Sequence, residues 1–346
     1  MVGECHKEKV HCRYGCSLCG CGGCIYNNYI RAVHVKAVGD ILLDRGVKKY
    51  LEKYGYDYPY SWIQEEIKAS DIAVANLECP ITDSRQAVLK YSHLIFKGNE
   101  ANAGALKTAG FDVLNLANNH TMDYEREGLL DTIKILNDLE VLPVGAGAAR
   151  SKARKPVYVR TMGKTIGFLS YSIFPTEGFI YDENKADVAR VDTESLSAEV
   201  EAAKSRCDFL VVQFHWGIKF DNYPTADQKQ LAHTAIENGA DMVLGHHPHV
   251  LQGVEIYEDK PVFYSLGNFV FDKQIPPGTD ETLLVDVSIK GRDWTEVRLI
   301  PVMIKECRPE LAKGKDAERI LEKLRVYSKD YGTDIQIADG TGYIFR

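Results

Sequence analysis

The chain contains no apolar run of 18 residues or more, which excludes a membrane-spanning helix as a reading of the sequence. It has no secretory signal at its start. The opening stretch MVGECHKEKVHCRYG mixes charges and histidines where a signal needs an apolar core, so the chain as written is expected in the cytoplasm. There is no surplus of positive charge: 42 Lys and Arg stand against 49 Asp and Glu, a net charge of −7. That balance argues against nucleic acid or an anionic membrane as a partner held by bulk charge. An anionic substrate would have to be held by metal ions or by a few local lysines and arginines. No internal repeat and no low-complexity tract is present, which removes repeat arrays and compositionally biased chains.

Cysteine is scarce over most of the chain. Of nine, only Cys79, Cys207 and Cys307 lie beyond residue 24. The other six, Cys5, Cys12, Cys16, Cys19, Cys21 and Cys24, crowd into the first 24 residues. In a reducing cytosol such a cluster reads as metal ligands or redox thiols rather than disulfides. Cys12, Cys16 and Cys19 are spaced C-x3-C-x2-C, and Cys21 and Cys24 add a C-x2-C. Four of these thiolates would suit zinc or an iron–sulfur cluster, and a thiol-rich tail without metal is the plainer alternative.

What is present is an alternation. Apolar, β-rich runs at 33–38, 71–77, 111–117, 166–173, 208–214, 240–244 and 261–266 read as strands. Amphipathic segments such as Ser61–Ala69, Tyr124–Leu139, Thr193–Ser205 and Thr225–Asn238 read as helices between them. Two further strands at 282–289 and 295–304 have no helix between them, and a helix is expected near Ala317–Tyr327. The pattern is that of an α/β domain. The 346 residues divide into a Cys-rich segment at 1–30, a main domain at 31–310, and a C-terminal helix and tail at 311–346 packing on it.

The ends of the strands carry the chemistry. The first ends in Gly39-Asp40, the second in Asn76 and Glu78, and the third in Asn118, Asn119, His120 and Asp123. The run at 208–214 ends in His215-Trp216-Gly217, and the run at 240–244 ends in GHHPH, with His246, His247 and His249. In open α/β sheets the carboxyl ends of the strands are where ligands bind. Imidazole with carboxylate suits Zn, Mn, Fe, Co or Ni rather than a calcium cage. A carboxylate can bridge two such ions, and two ions about 3.5–4 Å apart form a clamp for hydrolysis.

The stretches VGDILLDRG, ANLECPIT, LANNHTMDY, FHWG, GADMVLGHHPHVLQGVE and VFYSLGNFVFD resemble the CapA family of poly-γ-glutamate capsule biosynthesis, in order and spacing over about 33–272. The resemblance implies a four-layer αββα sandwich of the metallo-dependent phosphatase type with one or two divalent ions at the strand ends. Asp40 matches the first-motif aspartate, and Glu78 stands where the wider superfamily has a bridging aspartate. One ion would be held by Glu78, Asn119, His215 and His247, the other by Asp40, Glu78 and His249. His120 matches the acid or transition-state-stabilising histidine, oriented by Asp123. His246, Asn118, Lys219 and Lys97 would lie on substrate or behind the ligands.

The implied activity is metal-dependent hydrolysis, a metal-bound hydroxide attacking a phosphoester or a γ-glutamyl amide. The implied partners are an anionic polymer or a small substrate of that kind, with a capsule synthase as a protein partner. Family members are often anchored outside the cell. Two positions depart from the pattern. Asp40-Ile41-Leu42 lacks the histidine of the superfamily's Asp-x-His, and Lys219 stands where CapA proteins carry glutamate. Both favour the alternative of a non-catalytic polymer- or partner-binding module. Asp44 reads as a helix-start residue, His93 and His233 as structural or surface, and Lys97 more simply as an exposed lysine.

Overall fold

Val33–Ile41 (β1) is buried along its length except at His34, the mark of a strand covered on both faces. The computed structural model describes residues 31–346 apart from 176–181 and 274. The cysteine cluster expected to bind zinc or an iron–sulfur cluster lies outside the described residues.

After β1, Asp44 caps helix α1 (Arg45–Tyr54) by accepting from the Arg45 amide. The helix expected over Ser61–Ala69 is shorter: a 3-10 turn at Tyr58–Tyr60 leads to α2 (Gln64–Lys68). Tyr60, Ile63 and Ile67 still point inward, so the apolar period survives although the regular helix does not. Next come β2 (Ile72–Leu77), α3 (Glu100–Ala109), β3 (Val113–Asn115), α4 (Glu125–Asp138) and β4 (Leu142–Val144). A short pair, β5 (Ala146–Gly147) and β8 (Asp187–Val188), brackets α5 (Arg150–Ala153), β6 (Val157–Thr161) and β7 (Lys164–Ser172). There follow α6 (Leu196–Lys204), β9 (Phe209–His215), α7 (Ala226–Glu237) and β10 (Met242–His246). Thr225 and Gln228 form a capping box that starts α7.

The last third adds β11 (Val254–Tyr257), β12 (Lys260–Phe263), β13 (Asn268–Val270) and the long hairpin β14 (Glu281–Lys290) and β15 (Asp293–Lys305). It closes with β16 (Arg308–Leu311), α8 (Lys315–Ser328), β17 (Gln336–Ala338) and β18 (Thr341–Phe345).

One sheet runs β17-β18-β15-β14-β1-β2-β3-β4, with β13 on β1 and β16 on β15; the other runs β11-β12-β10-β9-β7-β6. Their inner faces meet in one core, where Val35, Ala37 and Val74 pack with Phe168, Val211 and Leu244. Outside the first sheet, Val47, Ile67, Leu106 and Leu136 of α1 to α4 form a second core. Outside the second sheet, Val200 and Ala232 of α6 and α7 form a third. The order helix, sheet, sheet, helix is the four-layer sandwich expected. The residues after 311 contribute more than a helix and tail, because β18 pairs with β15 inside the first sheet.

Candidate metal centre

Parallel pairing brings the polar strand ends to one edge. In the first sheet Asp40 lies opposite Asn76, and Asn76 opposite Asn115. In the second, His215 lies opposite His246. Two glycines make the approach possible. A Cβ on Gly39 would fall 2.0 Å from the Gly267 carbonyl oxygen, and one on Gly245 would fall 2.0 Å from that of Tyr264. These glycines immediately precede Asp40 and His246. Beyond β10 the chain adopts positive φ at two histidines, 97° at His247 and 60° at His249. Non-glycine residues hold such angles only where the surroundings enforce them, and they cluster at functional sites.

The side chains converge on Glu78. Its Oε1 is 3.6 Å from His249 Nε2, 3.9 Å from His215 Nε2 and 4.0 Å from His120 Nε2. Two groups have ligand atoms all within 4.8 Å of one another: Glu78, His215 and His247, and Asp40, Glu78 and His249. Asn119 joins the first, its Oδ1 2.9 Å from His215 Nε2. Asn268 backs the second, its Oδ1 2.9 Å from His249 Nδ1.

Asp40 is the most satisfied member. It accepts from the Asn76 amide at 2.9 Å and has His246 Nδ1 and His249 Nδ1 each 3.2 Å away. Burial opposes its ionisation, but the two imidazoles outweigh this and hold its carboxyl well below the usual range. Glu78 is the reverse. Burial pushes its carboxyl up to about 7, with His249 opposing and Asp40 reinforcing the rise. Neither Glu78 oxygen has a hydrogen-bond partner among the described residues, and the same holds for His215 Nδ1 and both nitrogens of His246. An unpartnered buried carboxylate is costly unless a cation meets it. Burial also keeps His215 well below the usual imidazole range and pushes His247 down to about 2. Neutral imidazoles are the form that binds metal. The donor set therefore fits one or two divalent ions shared through Glu78.

His120 faces the same space. Its Nδ1 is 2.9 Å from Asp123 Oδ2, and its ring packs on Phe96 at 4.3 Å between centroids. Lys90, Leu94, Asn119, His120, Phe174, Lys219 and His247 are among the residues lining a cavity of about 240 Å³ above the cluster.

The residues expected on substrate or behind the ligands are placed as follows. Asn118 is spent on the turn: its amide donates to Leu77 O and Asn76 Oδ1, and its Oδ1 accepts from the His120 and Thr121 amides. Lys97 is not brought to the cluster; it donates to Ser84 O at 2.7 Å and lies over the Tyr124 ring. His246, expected on substrate or behind the ligands, lies behind Asp40, its Nδ1 3.2 Å from Oδ1. Lys90 and Phe174 were not visible as site residues, because both stand in aperiodic loops. Leu42, at the position lacking histidine, is fully buried in the outer core.

An αββα sandwich with a buried carboxylate–imidazole cluster at its strand ends defines the class of the protein. The chain belongs to the family described as Bacterial capsule synthesis protein PGA_cap, whose profile matches residues 34–273. It is 35% identical over 304 residues to the PGA biosynthesis protein CapA of Bacillus subtilis (strain 168), spanning 88% of this chain and 80% of that one. It is 34% identical over 296 residues to the Capsule biosynthesis protein CapA of Bacillus anthracis, spanning 84% of this chain and 71% of that one. Among solved structures, the calcineurin-like phosphoesterase YfkN from Bacillus subtilis aligns at a TM-score of 0.42 with 13% identity, over 82% of this chain and 88% of that one. No helix among the described residues is long and apolar enough to cross a membrane.

Proposed function

We propose that the chain is a metal-dependent hydrolase acting on a phosphoester or a γ-glutamyl amide in capsule-polymer metabolism. The observation that carries this reading is Glu78, fully buried, common to both ligand groups, and without a hydrogen bond on either oxygen among the described residues. Glu78, Asn119, His215 and His247 would hold one ion, and Asp40, Glu78 and His249 the other. A bound divalent cation would supply Lewis acidity and lower the pKa of water at neutral pH.

The chain's own groups do the rest. His120, fixed by Asp123, carries a proton to the leaving group or stabilises charge near it. Phe174, whose ring lies 4.1 Å from that of His247, shields the cluster from water. Lys219, exposed on the cavity wall, holds an anionic part of the substrate. The placement in capsule-polymer metabolism rests on the names of the two Bacillus relatives.

Elemental analysis of the full chain beside His215→Ala and His247→Ala tests the ligand assignment. One or two Mn, Fe, Co, Ni or Zn per chain, reduced in both variants, is the expected result. Unchanged metal content would remove the assignment. A screen against generic phosphodiesters and γ-glutamyl oligomers then tests turnover. The buried Leu42, which offers no ligand beside Asp40, favours a second reading, a polymer-binding module that keeps metal as structure. Metal without turnover of any of these substrates would select it.

A further inference from the structure

Arg45 opens α1 just past the end of β1, with φ at 52°. A non-glycine residue keeps such a left-handed angle only where its surroundings enforce it. Here the surroundings are specific. Asp272 accepts from the Gly46 amide at 2.8 Å through Oδ2, and its Oδ1 lies 2.5 Å from Arg45 Nη2. The guanidinium also lies against two rings, 4.8 Å from the centroid of Phe96 and 5.2 Å from that of Phe271. The same two rings back the metal centre: Phe96 packs on His120 at 4.3 Å and Phe271 on His249 at 4.9 Å. Arg45 is thus held beside the cluster, and its donors are not used up. Asp272 takes Nη2, Nε is buried without a partner, and Nη1 has no hydrogen-bond partner among the described residues and is not one of the buried atoms. The side chain stays 21% exposed, against 5% for Asp272.

We propose that Arg45 is a specificity-determining residue that takes an oxyanion of the substrate, a carboxylate or a phosphate, through its free N–H edge. The inference rests on the hydrolase reading for the identity of the substrate, but its geometry stands without it. A guanidinium presents a planar fork of donors that matches such an oxyanion. Asp272, Phe96 and Phe271 fix that fork in advance, so little side-chain freedom is lost when the anion arrives. Lys219 reaches the same cluster from the other side of the sandwich: it follows β9 of the second sheet and lines the cavity with His120 and His247. Arg45 follows β1 of the first sheet. An anionic chain lying across the seam between the sheets would meet both cations, one on each side of the metal centre.

The test reads binding rather than turnover. Isothermal titration calorimetry on the full chain, at equal metal content, uses a γ-glutamyl decamer, the same decamer with its carboxylates amidated, and inorganic phosphate. Arg45→Met is expected to weaken the decamer, phosphate or both by about ten- to a hundredfold, the effect of losing a hydrogen bond between charged groups. The amidated decamer should bind wild type and variant alike, and metal content should not change, since Arg45 is in neither ligand group. A loss confined to the decamer assigns the oxyanion to a polymer carboxylate, one confined to phosphate assigns it to a phosphoryl group, and a loss on both shows a site open to either. If Arg45→Met does not fold because Asp272 is left buried and unpaired, Arg45→Met combined with Asp272→Asn removes that charge and should show the same loss. A folded variant that binds the decamer and phosphate as wild type does, or that loses the amidated decamer equally, would overturn the proposal. So would a wild type that binds neither anion. A merely structural arginine would lower Tm and leave the affinities alone. The expected binding pattern without hydrolysis of any substrate would count against the hydrolase reading only.

Discussion

Asn119 Oδ1 lies 2.9 Å from His215 Nε2, although the two residues are 96 positions apart and belong to different sheets. Asn119 follows β3 of the first sheet, and His215 ends β9 of the second. The cluster therefore ties the two halves of the sandwich together at one edge. A cation bound there would join both sheets, and whatever binds only the folded state stabilises it.

Metal is accordingly expected to raise Tm. At 100 times Kd the gain is about 2.7 kcal/mol, or roughly 5 °C for a domain of this size. The gain should depend on pH. His249 is buried, which by itself lowers its pKa, yet the Glu78 and Asp40 carboxylates raise it above the ordinary 6.5. In metal-free protein its proton stabilises the fold below the ordinary value, and that contribution is lost as pH rises through the higher folded value. A cation needs the same carboxylates and a neutral His249. Thermal scans with Mn or Zn should thus show a larger shift at pH 8 than at pH 6. Equal shifts at both would place the ion elsewhere.

Glu78→Gln separates binding from folding. The amide keeps the volume and removes a buried carboxylate that no donor satisfies among the described residues. Metal content should fall towards zero, because both ligand groups share this residue. The metal-free variant should be as stable as metal-free wild type, or more stable by about 1–3 kcal/mol. A metal-free variant clearly less stable than metal-free wild type would show that Glu78 is a structural carboxylate.

Gly39→Ala and Gly245→Ala should fail for a steric reason. Each new Cβ would fall 2.0 Å from a backbone carbonyl oxygen, which no rotamer can relieve. Overpacking of this kind costs about 1–3 kcal/mol, and more when backbone is the neighbour. Denaturant titration should give a lower midpoint for both, with metal loss following from displacement of Asp40 and His246. Wild-type midpoints would mean that β1 and β10 can move apart at no penalty.

These glycines also show why so much of the site could be read from the sequence. A strand that must approach another backbone ends in glycine, and the polar residue after it stands at the sheet edge. VGD, LGHH and ANLE all announce that edge without a coordinate. The helices were legible where caps marked them, as at Thr225. What failed was path. Lys97, in IFKGN, stood out from the sequence and lies on Tyr124. Lys90, seven residues earlier, lies on Asp123 instead. A loop without period takes its course from tertiary partners, and Asp123 is contributed by a segment more than thirty residues away. Short strands such as β4 and β6 were missed for a related reason, since their pairing comes from neighbours rather than from alternation.

The last expectation concerns the proton on His120. If this residue assists departure of the leaving group, its removal should matter most where the leaving group is a poor one. An alkoxide or amine needs a proton as the bond breaks, whereas 4-nitrophenolate leaves unaided. On a substrate that the full chain turns over, His120→Gln should lower kcat by about 10²–10⁴ for the poor leaving group and far less for 4-nitrophenolate. Metal content should be unchanged, since His120 is absent from both carboxylate–imidazole groups. An equal fall on both substrates would assign His120 to charge stabilisation at the attacked centre instead. A matching loss of metal would make it a ligand, and the acid would have to be sought among the other residues of the cavity wall, Lys219 first.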